Sequence, residues 1–168
     1  MDRSPGQAVR SERKLVCFEL AGERFGLDVS EVLGVNPLVE ITPLPTAPEC
    51  VEGVVNIRGK VIPIIALRKR LGIEGDGHAA QARIVVAKSG DTLAGIVVDG
   101  VSRVAAISAD DVASPSSVLS HAEFVKAVGR LPDGLLMILD LERVLDVATD
   151  AVLTTDGEDD DASTETRG

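Results

Sequence analysis

The chain has 168 residues, 45% of them hydrophobic, and a formal net charge of −10 at neutral pH. The charge is concentrated at one end, because residues 149–168 hold seven acidic side chains against Arg167, whereas residues 14–148 hold a net −5. A mildly acidic domain is a poor candidate for non-specific nucleic-acid binding, which needs many cationic contacts to phosphate. Trp and Tyr are absent, so any partner surface must be largely aliphatic.

The apolar runs are also too short for a membrane protein. None approaches the roughly 18 to 20 residues that span a bilayer, and the N-terminus lacks the apolar stretch of a signal peptide. We therefore expect a cytoplasmic protein without direct membrane insertion. Residues 1–13 and the acidic tail 149–168 are polar and lack periodicity, which predicts disorder at both ends of a folded region at 14–148.

Within the folded region the apolar residues form short, β-branched runs separated by Gly, Pro, Asn and Asp, a pattern typical of many short strands. Helix is scarce, with short pieces predicted at residues 30–33, 67–71 and 141–146. The sequence therefore predicts a mainly β fold. The predicted strands cover residues 15–20, 24–28, 54–57, 61–67, 83–88, 94–99, 103–108 and 135–141.

The first half of this pattern is repeated in the second half. A shift of 69 residues sets 25–32 over 94–101, and a shift of 74 sets 50–71 over 124–145. Gly26 then meets Gly95, and the apolar positions agree along both segments. We interpret the repeat as a duplicated small β unit that forms two barrels, since closure removes unpaired strand edges. The halves that would form them are approximately 14–72 and 82–148.

The chain contains no recognisable catalytic or metal-binding pattern. His78 and His121 lie in Gly-rich and Ser-rich stretches without a zinc or nucleophile motif, and Ser102 reads as a turn residue. Cys17 and Cys50 are far apart and outside any CxxC motif, which argues against a metal site or a disulfide. The sequence thus predicts a non-enzymatic protein that needs no cofactor.

One segment differs from the acidic remainder of the domain. Residues 53–73 contain no acidic side chain and five basic ones: Arg58, Lys60, Arg68, Lys69 and Arg70. Arg58 lies in the turn-like stretch NIRG between two apolar strands. Two interpretations stay open, namely a solvated turn arginine and a fixed donor fork for a partner's carboxylate. Contact with RNA by the whole basic segment is a third, more remote alternative.

The segment GVVNIRGKVIPIIALRKRLG (53–72), followed by GIVVDGVSRV (95–104), strongly resembles the CheW chemotaxis coupling proteins, and the resemblance extends over about 14–146. It implies two five-stranded, SH3-like barrels with exchanged elements. It also implies a non-enzymatic adaptor that links the cytoplasmic tip of a chemoreceptor, a methyl-accepting chemotaxis protein, to the regulatory domain of a CheA-type histidine kinase. Such an adaptor would be cytoplasmic and recruited to membrane-associated receptor arrays.

The resemblance assigns partner binding to the turn arginine, Arg58, and to residues in both halves of the repeat. Two departures, Gly34 and Ala66, replace acids that many relatives carry, which leaves open an adaptor that engages one partner or serves a non-flagellar pathway. The other residues carried over from the family are Val32, Gly53 and Asn56 in the first half, and Gly95, Asp99, Val101 and Val104 in the second.

Overall fold

A computed structural model of the protein describes residues 12–74, 79–115 and 122–147. The first strand begins at Glu12, so the expected disorder of residues 1–13 is wrong for its last two positions. Residues 1–11 and the acidic tail from residue 149 lie outside the described residues, as does His78. None of the helices in the described ranges is long and apolar enough to cross a membrane.

The described residues are mostly β-strand, with only short helices, which confirms the predicted fold class. The α-helix predicted at 67–71 is present, whereas 30–33 belongs partly to a 3-10 turn and partly to a strand that was not predicted. The strands are β1 (Glu12–Leu20), β2 (Glu23–Asp28), β3 (Val32–Pro37), β4 (Val51–Ile57), β5 (Lys60–Ala66), β6 (Arg83–Ser89), β7 (Thr92–Val98), β8 (Gly100–Ser108), β9 (Val112–Ala113), β10 (Val125–Leu131) and β11 (Gly134–Leu139). The helices are α1 (Leu67–Leu71) and α2 (Leu141–Val144), with 3-10 turns at Val29–Glu31, Ala109–Asp111 and Ala122–Phe124.

These strands form two curled sheets. Barrel 1 has the order β3-β6-β7-β5-β4, and barrel 2 has the order β8-β1-β2-β11-β10-β9. In barrel 2, β8 and β9 are one run of chain interrupted by the 3-10 turn at Ala109–Asp111, so six strands correspond to five runs. Neighbouring strands are antiparallel except for the parallel pairs β5 with β7 and β2 with β11. This arrangement agrees with two five-stranded, SH3-like barrels.

The two barrels exchange hairpins. The β1–β2 hairpin pairs with strands from the second half of the chain, and the β6–β7 hairpin pairs with strands from the first half. The strands of barrel 1 therefore lie within 32–98, and those of barrel 2 lie within 12–28 and 100–139. The repeat shifts persist in the geometry, since Ile64 pairs with Gly95 and Ile138 pairs with Gly26.

The cores explain why the exchange is stable. Each barrel has its own apolar interior, formed around Leu136 and Ile138 in barrel 2 and around Ile64 and Ile84 in barrel 1. A third and larger cluster joins the two barrels and includes Phe18 and Phe25, whose rings stack with centroids 6.1 Å apart, together with residues of both sheets. Burial of this shared apolar surface holds the barrels together.

Candidate partner-binding surface

The turn between β4 and β5 has a backbone conformation that its residues do not favour. Arg58 and Gly59 have φ angles of 54° and 83°, which corresponds to a two-residue type I′ hairpin turn. Asn or Gly usually occupies the first of these positions, because a left-handed conformation costs an ordinary residue about 1–2 kcal/mol. The Oδ1 atom of Asn56 accepts a hydrogen bond from the Gly59 amide at 3.0 Å and fixes the turn. Turn chemistry alone therefore does not explain an arginine here.

Arg58 lies beside a groove of about 280 Å³ between β3 and the β4–β5 hairpin. Leu33 and Val35 line the groove from β3, with 60% and 42% of their surface exposed, and Lys60 adds a second cation. Neither cation has an ion-pair partner among the described residues. The groove thus combines exposed aliphatic side chains with free positive charge, which suits a ligand that is apolar and carries carboxylates. Its other lining residues are Gly34, Asn36, Ile57, Ile62, Val86 and Leu93.

Gly34, the first departure from the family pattern, lies in this lining. A Cβ placed on it would meet only the Asn36 side chain, at 3.9 Å, so the position has room for a larger residue. Because no acidic side chain among the described residues lines the groove, Arg58 and Lys60 are not neutralised from within it. An acid at position 34 would make this surface less positive.

Two other predicted residues of the first half are internal. Gly53 is buried at a bulge in β4, where the chain of residues 38–50 crosses it, and a Cβ on Gly53 would overlap the carbonyl oxygen of Thr42. Val32 begins β3 and packs partly buried against the shared core. Neither lines the groove, so these residues shape the strands on which Arg58 and Leu33 are presented.

The predicted residues of the second half lie in β7, in β8 and at the junction between them, and they do not line the groove. Gly95 is buried in β7, and Val101 packs against the shared core. Val104 is 55% exposed on β8. The carboxylate of Asp99, at the β7–β8 junction, accepts hydrogen bonds from the Ala21 amide and the Arg68 guanidinium.

The basic segment does not form one continuous free surface. Arg68 is paired with Asp99 at 3.1 Å, and Arg70 donates to the carbonyl oxygens of Arg143 and Val144 while lying 4.8 Å from the Phe124 ring centre. Of the five bases, two are therefore used within the protein. This arrangement does not favour the RNA-binding alternative, which requires the segment as a whole.

Four exposed aliphatic residues occupy equivalent positions in the two barrels. Val35 on β3 corresponds to Val104 on β8 by the shift of 69, and Val61 on β5 corresponds to Leu135 on β11 by the shift of 74. All four have at least 42% of their surface exposed. Each barrel therefore carries two exposed apolar residues at positions matched in the other.

The turn equivalent to Arg58–Gly59 is held by a cluster of charges. Asp133 lies 3.0 Å from Arg24 and 3.7 Å from Arg103, and its backbone carbonyl accepts a hydrogen bond from Arg24. The hydrogen bond from Arg24 lowers the pKa of the Asp133 carboxyl. Sequence analysis missed this cluster, since its members are far apart in the chain and no local motif joins them. It also missed the groove, although the exposed pair Leu33 and Val35 alternates with Gly34 as a half-exposed strand would.

Two linked barrels with an exposed, cationic and aliphatic groove define a protein-binding module. The described residues contain no cluster of His, Cys, Asp or Glu that could hold a metal, and both cysteines are free thiols.

The chain belongs to the family of CheW-like domains, whose model matches residues 14–149. It is 34% identical to the chemotaxis protein CheW of Treponema pallidum, over 82% of this chain and 85% of that protein. It is 29% identical to the CheW protein of Thermotoga maritima, over 82% and 91%. The crystal structure of the scaffolding protein TtCheW from Thermoanaerobacter tengcongensis matches with a TM-score of 0.75 and 36% identity, covering 79% of this chain and 92% of that one. The chain is thus a chemotaxis coupling protein of the scaffold type and not an enzyme, as the sequence predicted.

Proposed function

We propose that this chain couples the regulatory domain of a CheA-type histidine kinase to the cytoplasmic tip of a chemoreceptor by binding both at once. The observation that carries the proposal is the groove beside Arg58, where two cations without ion-pair partners border exposed aliphatic side chains. A surface of this kind costs free energy in isolation unless a partner covers it. The coupling of kinase and receptor would take place in the cytoplasm, at membrane-associated receptor arrays.

The matched exposed positions on the two barrels support binding at two places. Val35 and Val61 lie in barrel 1, and Val104 and Leu135 lie in barrel 2. The shared core holds the barrels together, so a partner on one barrel would be kept close to a partner on the other. Such a scaffold raises the local concentration of kinase at the receptor without any chemistry of its own.

Within this proposal the predicted site residues have different roles. Arg58 donates hydrogen bonds to a carboxylate of the partner, and Asn56 holds the turn that presents it. Gly53 permits the chain crossing that supports β4. Val104 contributes apolar contact from barrel 2, whereas Val101 and Val32 pack against the cluster that joins the barrels, and Gly95 lies against Ile64 and Ile84 in the core of barrel 1.

A ternary-complex experiment tests the proposal. The full chain, a CheA-type regulatory domain and a receptor cytoplasmic fragment are mixed singly, in pairs and together, and followed by analytical ultracentrifugation. We expect each partner to bind alone and all three components to sediment as one larger species. Displacement of one partner by the other would contradict simultaneous binding.

The same experiment separates the alternative of an adaptor with a single partner, which the open position at Gly34 motivates. Binding of one component and none of the other would favour that alternative. Restoring an acid with Gly34→Glu would then be expected to recover the missing partner. A Cβ at position 34 would meet no described atom closer than 3.9 Å, so the variant is expected to fold.

A further inference from the structure

We infer that Asp99 is a positioning residue, a latch that fastens the tip of the exchanged β1–β2 hairpin to barrel 1 and so fixes the orientation of the two barrels. The resemblance to the family groups Asp99 with partner-binding residues. The contacts of Asp99 within the protein point to a different role. The inference concerns the free protein and does not depend on the partners proposed above.

The latch consists of three hydrogen bonds around Asp99. Its Oδ2 atom accepts from the Ala21 amide at 2.8 Å and from Nη2 of Arg68 at 3.1 Å. Its own amide donates to the carbonyl oxygen of Glu19 at 2.9 Å. Ala21 and Glu19 belong to the β1–β2 hairpin of barrel 2, whereas Arg68 lies in α1, directly after β5 of barrel 1. One carboxylate therefore joins elements of both barrels.

The surroundings make this contact stronger than an ordinary surface ion pair. The side chains of Arg68 and Asp99 are only 25% and 23% exposed, so solvent screening is reduced. Arg68 also donates to the carbonyl oxygen of Glu74 at 3.1 Å, which restricts the guanidinium from a second side. Hydrogen bonds with charged groups of this kind are stronger than neutral ones.

The conformation of Ala21 gives an independent indication. Its φ angle is 55°, a left-handed conformation that an alanine avoids unless its surroundings enforce it. The Asp99 carboxylate accepts the amide of this same residue. The latch thus stabilises the hairpin tip at the position where the backbone is least favourable.

The other half of the repeat has different residues at the positions equivalent to Arg68 and Asp99. By the shift of 69, Ala21 corresponds to Gly90 and Asp99 corresponds to Ser30. By the shift of 74, Arg68 corresponds to Glu142. In place of the ion pair, a cleft of about 330 Å³ separates the β6–β7 turn from α2, and Glu142 lines it. The repeat therefore does not reproduce the residue pair Arg68 and Asp99 at the tip of the other exchanged hairpin.

Nuclear magnetic resonance on the full chain tests the inference, using Asp99→Ala and Asp99→Asn, with Asp91→Ala in the equivalent turn as the matched control. Hydrogen exchange of the Ala21 amide reports on the hairpin tip. Residual dipolar couplings report on the orientation of one barrel relative to the other. A general loss of stability would instead speed hydrogen exchange throughout the cluster that joins the barrels, so these two measurements distinguish it from loss of the latch.

For Asp99→Ala we expect the Ala21 amide to exchange roughly tenfold faster while amides of β6 and β7 change less than about twofold. The dipolar couplings of the two barrels should no longer fit one common alignment. Asp99→Asn, which keeps an acceptor for the Ala21 amide but loses the charge, should restore protection at Ala21 only. Unchanged Ala21 exchange and a single alignment in Asp99→Ala would overturn the inference, as would equal changes in Asp91→Ala. If Asp99→Ala does not fold, Arg68→Gln provides the orientation test, with a single alignment again contradicting the latch.

Discussion

The turns β4–β5 and β10–β11 occupy equivalent places in the two barrels but use their charges differently. In the first, Arg58 has no ion-pair partner among the described residues and borders the groove. In the second, Asp133 is bound by Arg24 and lies close to Arg103. Among the described residues, the first hairpin therefore presents an arginine without an ion-pair partner, whereas the second presents a paired aspartate. The two hairpins are equivalent in the repeat and differ in the charges at their tips.

The strands beneath these turns differ in a corresponding way. Both β4 and β10 contain a register shift, between Val51 and Gly53 in one and between Val125 and Ala127 in the other. Gly53 and Ala127 are thus equivalent by the shift of 74. Another segment pairs beside the bulge in both barrels, through the bridge between Thr42 and Val54 in barrel 1 and through the pair of Val128 with Ala113 in barrel 2. The Thr42 carbonyl lies where a Cβ of residue 53 would be, and this close approach explains why the first bulge requires glycine.

Substitution of the crossed bulge gives the largest expected effect on stability. Gly53→Ala should destabilise the protein by about 3 kcal/mol or more, because the new Cβ overlaps the Thr42 carbonyl and the residue has a φ angle of 152°. Urea unfolding measures this loss. The control Gly59→Ala meets no atom within 4 Å and should cost only about 1–2 kcal/mol through its left-handed φ angle. Equal losses in the two variants would show that the crossing is not the cause.

Removal of the side chain that fixes the first turn gives a smaller effect. Asn56→Ala loses the acceptor for the Gly59 amide and should cost about 1 kcal/mol of stability, with weaker partner binding as the turn loosens. Asn56→Asp retains an acceptor oxygen and should restore both properties. Thermal unfolding and titration calorimetry measure the two readouts. Loss of binding in Asn56→Asp as severe as in Asn56→Ala would instead favour direct contact by the amide.

The helices that follow the two hairpins allow a similar comparison. Asp140 is the N-cap of α2 and accepts a hydrogen bond from the Arg143 amide at 3.3 Å, whereas the equivalent residue before α1, Ala66, provides no side-chain cap. Asp140→Ala should therefore lower stability by about 1 kcal/mol, the usual value of such a cap. Urea unfolding measures the difference. No loss would show that α2 is held by burial of Leu141 and Val144 alone, as α1 is held without a cap.

The smallest effect concerns the charge cluster of the second turn. Since the pKa of Asp133 is lowered in the folded protein, its contribution to stability is present above the unfolded pKa of about 3.9 and is lost as pH falls through the folded value. Asp133→Asn should therefore lower the melting temperature slightly at neutral pH and not in strong acid. Melting curves at pH 7 and below pH 3 test this, and an equal decrease at both would contradict the ion-pair explanation.

Much of this comparison could be predicted from the sequence, because the two shifts of 69 and 74 relate residues that are equivalent in the folded protein. Strand faces could also be predicted, since alternation of side chains follows from the geometry of a single strand. The exchange of hairpins is implied by the resemblance to the family but could not be derived from the residues themselves, because β1 and β6 have similar apolar patterns and only long-range packing selects their partners. β3 was missed because Gly34, Asn36 and Pro37 weaken its strand signal.

The site was predictable to a similar degree. Arg58 was singled out by charge and by its turn, and the structure puts it at the edge of a groove. The internal positions of Gly53 and Asp99 could not be predicted, since a close crossing and a contact between barrels depend on residues distant in sequence. Local sequence therefore indicates exposed residues such as Arg58 better than it indicates internal residues such as Gly53 and Asp99.

The proposed coupling depends on Arg58, the arginine of the first turn, binding a partner. The most direct test is the dissociation constant of folded Arg58→Glu for the CheA-type regulatory domain and for the receptor fragment, measured by calorimetry beside Lys88→Glu. Lys88 is an exposed cation on β6 outside the groove, so it controls for net charge. We expect Arg58→Glu to bind one or both partners roughly tenfold more weakly or worse, and Lys88→Glu to bind them with little change. Unchanged binding of both partners by a folded Arg58→Glu variant would contradict it.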